Sequence, residues 1–129
     1  MSIIYTDGSC LKNPNGPGGW AFCIVNNDDT YSCMSGSDSN TTNNRMELTA
    51  VIEALNMIQE KECIIYTDSL LTLSCAQNIW KRKANLDLWL KYDKLSKNRK
   101  INYQWVKAHN GNKYNEIVDS LAYQAAKNI

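Results

Sequence analysis

Two pentapeptides organise the whole reading: Ile3-Ile4-Tyr5-Thr6-Asp7 and Ile64-Ile65-Tyr66-Thr67-Asp68 are identical. Each is short, apolar and β-branched up to its final carboxylate, which is the signature of a strand. Set side by side, parallel and in register, neighbouring strands lie ~4.8 Å apart, so Asp7 and Asp68 would converge at adjacent C-terminal ends. Those ends are where open α/β sheets place their ligands. An Asp after a strand is also an ordinary turn or helix-cap residue. That reading covers either Asp alone better than it covers the duplication.

Around these two segments the other elements fall into order. After Ser2–Asp7, the Gly/Pro/Asn cluster Asn13–Gly19 is the densest turn signal of the chain. Trp20–Val25 and Thr30–Gly36 read as two further strands joined by a turn at Asn26–Asp29, which makes an antiparallel meander. Thr41–Asn44 starts a helix, with Asn44 and Glu47 spaced as a capping box. Leu48, Val51, Ile52, Leu55 and Ile58 then recur at helical spacing. Glu62–Asp68 is a fourth strand, followed by helical patterns over Ser69–Trp80 and Asn85–Asn98, the second with Leu88, Tyr92 and Leu95 in phase. Ile101, Tyr103 and Trp105 mark a fifth strand. Asn112–Lys127 is a last helix, with Tyr114, Val118, Leu121 and Ala125 in phase. The order βββ-α-β-α-α-β-α calls for an α/β fold: a mixed sheet with helices on both faces, strands one and four parallel.

The chain has 129 residues, 43% hydrophobic and 21% charged, which suits one globular domain over 1–129 with its own core. The compositions of disordered, collagenous and coiled-coil chains are not met. No apolar run approaches the ~18 residues of a membrane span, and no export signal is readable, so a cytoplasmic location is expected. Five cysteines at wide spacings, with no Cys-x-x-Cys pair, are expected to be reduced. The net charge of +1 hides an asymmetry: residues 80–100 carry +6 and the remainder −5. A basic block beside an acidic remainder suggests a polyanion partner and a carboxylate-rich site elsewhere, although such a run alone is commonly a solvated helix face.

Two more carboxylates join Asp7 and Asp68 as candidates. Glu47 stands in the first turn of a helix, where a cap is the ordinary explanation. Asp119 stands mid-helix between inward-facing neighbours, a poor place for Asp without a task. Four carboxylates around one point repel one another unless divalent cations lie between them. Oxygen ligands without a His or Cys cluster favour magnesium or manganese over zinc, and the combination suits two-metal phosphoryl transfer.

Several segments together resemble a type 1 ribonuclease H, from Ile3 to about Lys127. They are Y-T-D-G-S-C (5–10), T-T-N-N-R-M-E-L (41–48), Y-T-D-S (66–69), N-L-D-L-W (85–89), W-V-K-A-H-N-G (105–111) and N-E-I-V-D-S-L-A (115–122). The resemblance implies a ribonuclease H-like fold, a five-stranded mixed sheet of order 3-2-1-4-5. It also implies endonucleolytic hydrolysis of RNA within RNA–DNA hybrids, leaving 5′-phosphate and 3′-hydroxyl ends. By the family's pattern Asp7, Glu47, Asp68 and Asp119 hold two Mg2+ ions, with Mn2+ as the alternative metal, and Asp7 bridges them. His109, the only histidine, takes the family's position for proton transfer or product departure. Glu116 matches an outer acidic residue that supports this centre.

For substrate, the resemblance assigns Cys10, Asn13, Asn43 and Asn44 to sensing 2′-hydroxyls, work for which amides offer both donors and acceptors. It assigns Thr42, Arg45 and Asn85 to a pocket for a DNA-strand phosphate. A non-catalytic hybrid-binding module, or a related nuclease acting on another duplex, are the alternatives. Three departures stand out. The first loop, N-P-N-G-P-G-G, is one residue longer than the common form. Leu70 stands where many relatives carry a Gln that touches RNA. The stretch before Asn85 is too short for the basic handle of bacterial relatives, leaving Trp80-Lys81-Arg82-Lys83 as the substitute. Fewer phosphate contacts imply weaker, more salt-sensitive binding. The chain is expected to act either as a monomer or beside a replication or reverse-transcription protein.

Overall fold

The computed structural model describes residues 1–129. Its elements run β1 (Ser2–Cys10), β2 (Gly16–Val25), β3 (Tyr31–Thr41), α1 (Asn43–Met57), β4 (Glu62–Thr67), α2 (Leu70–Ala76), α3 (Leu86–Ser96), β5 (Lys100–Trp105) and α4 (Lys113–Lys127). They form one five-stranded sheet of order β3-β2-β1-β4-β5. β1, β2 and β3 pair antiparallel, whereas β1–β4 and β4–β5 are parallel. The duplicated pentapeptides sit beside each other as expected, Ile3 opposite Ile64, Ile4 opposite Ile65 and Tyr5 opposite Tyr66.

Side-chain alternation along these two strands builds both faces at once. Ile4, Cys63 and Ile65 enter the larger core with Leu48, Val51, Ile52, Leu55 and Ile58 of the α1 side and Leu88, Trp89 and Tyr92 of α3. Tyr5 joins the smaller core under α4, with Ala21, Cys23, Val25, Val118 and Ala122. Tyr5 and Tyr66 stack there, ring centroids 4.6 Å apart. The same alternation carries Asp7 and Asp68 to that face, two residues on. The sequence predicts Tyr114, Val118, Leu121 and Ala125 as the inner stripe of α4. The helix instead buries Asn115, Val118, Ala122 and Ala126, with Tyr114, Leu121 and Ala125 at its flanks. Small residues win here because α4 lies almost on the backbone of β2, where Gly19 leaves no room for a side chain against Ala122, Ala125 and Ala126.

Local boundaries differ from the sequence expectation for identifiable reasons. α1 is capped by Thr42, whose Oγ1 accepts from Arg45 N at 3.2 Å, rather than by Asn44. Glu47 therefore forms no capping box and turns to Gly8 instead. α2 stops at Ala76, well short of Trp80. Asn78 takes a left-handed conformation (φ 59) and the Ile79 N–H reaches back to Ser74 O at 2.8 Å, a Schellman-type stop. The cysteine expectation fails at one pair: Cys23 and Cys33 form a disulfide, leaving Cys10, Cys63 and Cys75 free. The turn that sets Val25 opposite Tyr31 also sets Cys23 opposite Cys33, with Cα atoms 4.1 Å apart. Their spacing reveals nothing until that register is known.

The basic run 81–83 is only partly a free cationic surface. Arg82 turns inward: Nε donates to Cys75 O at 3.0 Å, Nη1 meets both oxygens of Asp93, and the guanidinium stacks 4.2 Å from the Trp89 ring centroid. It locks the 77–85 segment onto α3, leaving Lys81 and Lys83 exposed. No helix is long and apolar enough to cross a membrane.

Gly8 is where the start of α1 meets β1. A Cβ there would collide with the backbone of Met46 and Glu47. Gly8→Ala must push α1 away and costs at least about 2 kcal/mol of stability, the range for forced overpacking. A melting curve against wild type checks this; an unchanged Tm would contradict the close approach.

Candidate active site

Four elements deliver the acidic residues to one place. Asp7 lies near the end of β1, Asp68 directly after β4, Glu47 in the first turns of α1 and Asp119 in the middle of α4. Asp7 and Glu47 are buried, 2% and 8% exposed, and Asp68 and Asp119 are half-buried. Carboxylate oxygens of Asp7, Glu47 and Asp68 all lie within 4.8 Å of one another. Asp119 stands on the α4 side, grouped with His109 and Glu116, where its carboxyl raises both Asp7 and Asp68.

The backbone fixes this cluster tightly. The Gly8 N–H is shared between Asp7 Oδ1 at 2.9 Å and Glu47 Oε1 at 3.0 Å. Asp68 is held through its main chain, its carbonyl accepting from Trp105 Nε1 at 3.2 Å. Ser69 then caps α2 by accepting from Thr72 N at 3.1 Å, so the turn that carries Asp68 cannot swing.

Such a cluster is electrostatically expensive. Burial, and then the charge of Asp68, push the Asp7 carboxyl up to about 7. Burial and the neighbouring Asp7 raise Glu47 well above its usual range. Burial and Asp119 raise Asp68, with His109 partly opposing. Glu47 Oε2 is buried without any hydrogen-bond partner, and an orphaned buried acceptor is costly unless something fills the gap. Crowded hard oxygens, raised protonation and an orphaned carboxylate oxygen fit a divalent cation, and the lack of any thiolate or imidazole in the inner group fits Mg2+ or Mn2+ better than Zn2+.

His109, Glu116 and Asp119 make a second, more exposed group, again with ligand atoms within 4.8 Å of one another. His109 Nδ1 is 3.8 Å from Asp119 Oδ2 on a side chain 72% exposed. Its left-handed backbone (φ 54) and the following Gly111 turn the 108–111 loop over the acidic end of the sheet.

The expected substrate residues line the adjoining ridge. Asn13 Oδ1 accepts from Asn43 N at 3.0 Å, pinning the first loop to the start of α1. Cys10 Sγ lies within reach of the Lys12, Gly16 and Thr41 carbonyls. Asn43 and Asn44 are exposed at the first turn of α1. Arg45 and Asn85 are drawn together, Nη1 donating to Asn85 Oδ1 at 3.3 Å, with Thr42 beside them as the cap of α1. Sequence reasoning missed Asp87, which takes both Nη atoms of Arg45 at 3.0 and 2.8 Å. Only its place two residues after Asn85 hinted at it.

Comparison with known proteins finds relatives over almost the whole chain. A family model for RNase H matches residues 1–127. A ribonuclease H of Campylobacter jejuni is 47% identical, the alignment covering 98% of this chain and 91% of that protein. One of Ehrlichia chaffeensis is 46% identical over 93% of this chain and 90% of its own length. Among solved structures, LC11-RNase H1, crystallised with an RNA/DNA hybrid, superposes with a TM-score of 0.84 at 23% identity, covering 99% of this chain and 98% of that one. The N-terminal RNase H domain of a Mycobacterium tuberculosis protein gives 0.83 at 23% identity, with 99% and 96% covered. By sequence over almost its full length, and by fold, the chain belongs to the ribonuclease H family and is a hydrolytic nuclease.

Proposed function

We propose that the protein is a single ribonuclease H domain, residues 1–129, that cuts the RNA strand of RNA–DNA hybrids endonucleolytically with two Mg2+ ions, or Mn2+ in their place. The observation that carries this reading is the close group of Asp7, Glu47 and Asp68 carboxylates with its orphaned Glu47 oxygen, an arrangement that a divalent cation would satisfy. Family membership supports the substrate. The setting that goes with it is cytoplasmic, as a monomer or beside a replication or reverse-transcription protein.

Asp7, Glu47, Asp68 and Asp119 would hold the ions, Asp7 between them. When bound, the cations supply water activation for in-line attack on phosphorus and charge stabilisation at the departing 3′ oxygen. Attack with loss of the 3′ oxygen leaves a 5′-phosphate and a 3′-hydroxyl. His109, exposed beside Asp119, would assist proton transfer to the departing 3′ oxygen or product departure. Glu116 supports that loop from α4.

On the substrate side, Cys10, Asn13, Asn43 and Asn44 read the RNA minor-groove edge. Amide side chains there donate to and accept from 2′-hydroxyls, contacts that deoxyribose cannot return. Thr42, Arg45 and Asn85 take a phosphate of the DNA strand, where the start of α1 adds its own positive end. Leu70 is exposed at the start of α2 and offers RNA no polar contact.

A gel assay of labelled hybrid tests the activity. Cleavage requires Mg2+ or Mn2+, spares matched RNA and DNA duplexes, and falls by at least about 1,000-fold in Asp68→Asn, while that variant still binds hybrid. A wild-type protein inactive with both metals would leave only a binding role.

Metal and protons compete at the same oxygens, which gives a pH signature. The folded, metal-free protein binds protons more readily than the unfolded chain at Asp7, whose carboxyl sits at about 7, and at Glu47 and Asp68, both raised first of all by burial. Carboxyls of the unfolded chain release theirs at ~4. The Asp7 contribution to metal-free stability is therefore full below about 4 and is lost as pH rises through about 7; Glu47 and Asp68 act in the same direction. Mg2+ at a hundred times its Kd adds about 2.7 kcal/mol by mass action. The resulting gain in Tm is several degrees at pH 8 and much smaller at pH 5; equal gains at both would count against a shared site.

A further inference from the structure

We propose that Asp87 is a positioning residue for substrate: it holds the Arg45 guanidinium so that one fixed edge faces a phosphate of the nucleic acid. The inference rests on the reading of Thr42, Arg45 and Asn85 as a phosphate pocket, and adds to it a residue outside the pocket.

The donors of Arg45 can be counted. A guanidinium carries five N–H groups in a planar fork. Asp87 takes one from Nη1 at 3.0 Å and one from Nη2 at 2.8 Å, end-on and bidentate. Asn85 Oδ1 also accepts from Nη1, at 3.3 Å. The Nε–H and the remaining Nη2–H have no partner in the protein. These two lie parallel within the plane, along one edge, and form a bidentate donor pair, the geometry that a phosphate accepts best.

Everything around this pair is arranged to keep it still. Asp87 sits in the first turn of α3, and its carboxyl is held at about 2, first of all by Arg45. Asn85, at the cap position of α3, adopts a left-handed backbone (φ 58) and gives its own helix no side-chain cap; its oxygen serves Arg45 instead. The backbone of Arg45 is fixed by the Thr42 cap. A long, flexible side chain has thus lost its freedom before substrate arrives, so that binding does not bear that cost.

Coulomb's law alone predicts the opposite role. A carboxylate beside a phosphate site should repel substrate, and its removal should tighten binding. Asp87 is 61% exposed, however, so the high dielectric of water keeps its repulsion of a phosphate beyond Arg45 weak, and salt weakens it further. Orientation is not screened. The positioning effect therefore dominates.

Steady-state cleavage of a labelled RNA–DNA hybrid separates the two. Asp87→Asn raises KM roughly three- to tenfold, the loss of one oriented phosphate contact, and leaves kcat at saturating hybrid within about twofold. The slope of log KM against log salt falls by ~0.7–0.9, matching Arg45→Ala. Asp87→Glu recovers part of the KM. Added to Arg45→Ala, Asp87→Asn raises KM no further. A KM unchanged or lowered in Asp87→Asn overturns the proposal, as does an equal rise with Arg45 already removed. If Asp87→Asn fails to fold, Asp87→Glu carries the comparison, and its KM must exceed wild type. An active wild type with an unmoved KM in Arg45→Ala sinks the phosphate pocket and this inference together, whereas a wild type that cleaves no hybrid sinks the proposed function itself.

Discussion

The parallel, in-register pairing of β1 with β4 is the constraint on which the rest of the molecule depends. Because side chains alternate along a strand, a slip of one residue would send either Asp7 or Asp68 to the opposite face. The register is secured on both sides of the sheet: Ile4 and Ile65 are fully buried on one, and Tyr5 stacks on Tyr66 on the other. Ordinary apolar packing thus holds two like charges near each other, an arrangement that electrostatics alone would reject. The hydrophobic core supplies the energy that keeps the carboxylates together.

That division of labour explains the roles of the smaller residues around the centre. Gly8 lets α1 approach β1 closely enough for Glu47 to share a backbone N–H with Asp7. Gly19 does the equivalent for α4, and hence for Asp119, on the other side of the sheet. Both helices that contribute a carboxylate lean on a position where a side chain would hold them off. The centre is therefore only as accurate as two backbone contacts with no side chain in them.

Much of this was legible in the sequence, because the duplicated pentapeptide and the periodic stripe Leu48–Ile58 report on packing that is local or strictly repeated. Fold class, the β1–β4 pairing and the convergence of Asp7 and Asp68 followed from them, whereas the place of Glu47 beside them came with the family resemblance. What escaped depends on pairings distant in sequence. Cys23 meets Cys33 only through a hairpin register. Glu47 looked like part of a capping box because local spacing cannot reveal that Gly8 competes for its carboxylate. Arg82 read as a free cation until α3 brought Asp93 and Trp89 against it. The end of α2 turned on Asn78, whose left-handed tolerance is shared by many asparagines inside longer helices and so gave no firm signal.

Asp119 comes from the final helix, α4, whereas its three partners lie in the first sixty-eight residues. Translation proceeds from the N-terminus, and contacts between distant parts of a chain must wait for both to emerge. While this protein is being made, the nascent polypeptide on the ribosome therefore carries three of the four clustered carboxylates well before the fourth. The cluster is complete only once α4 has left the exit tunnel and docked.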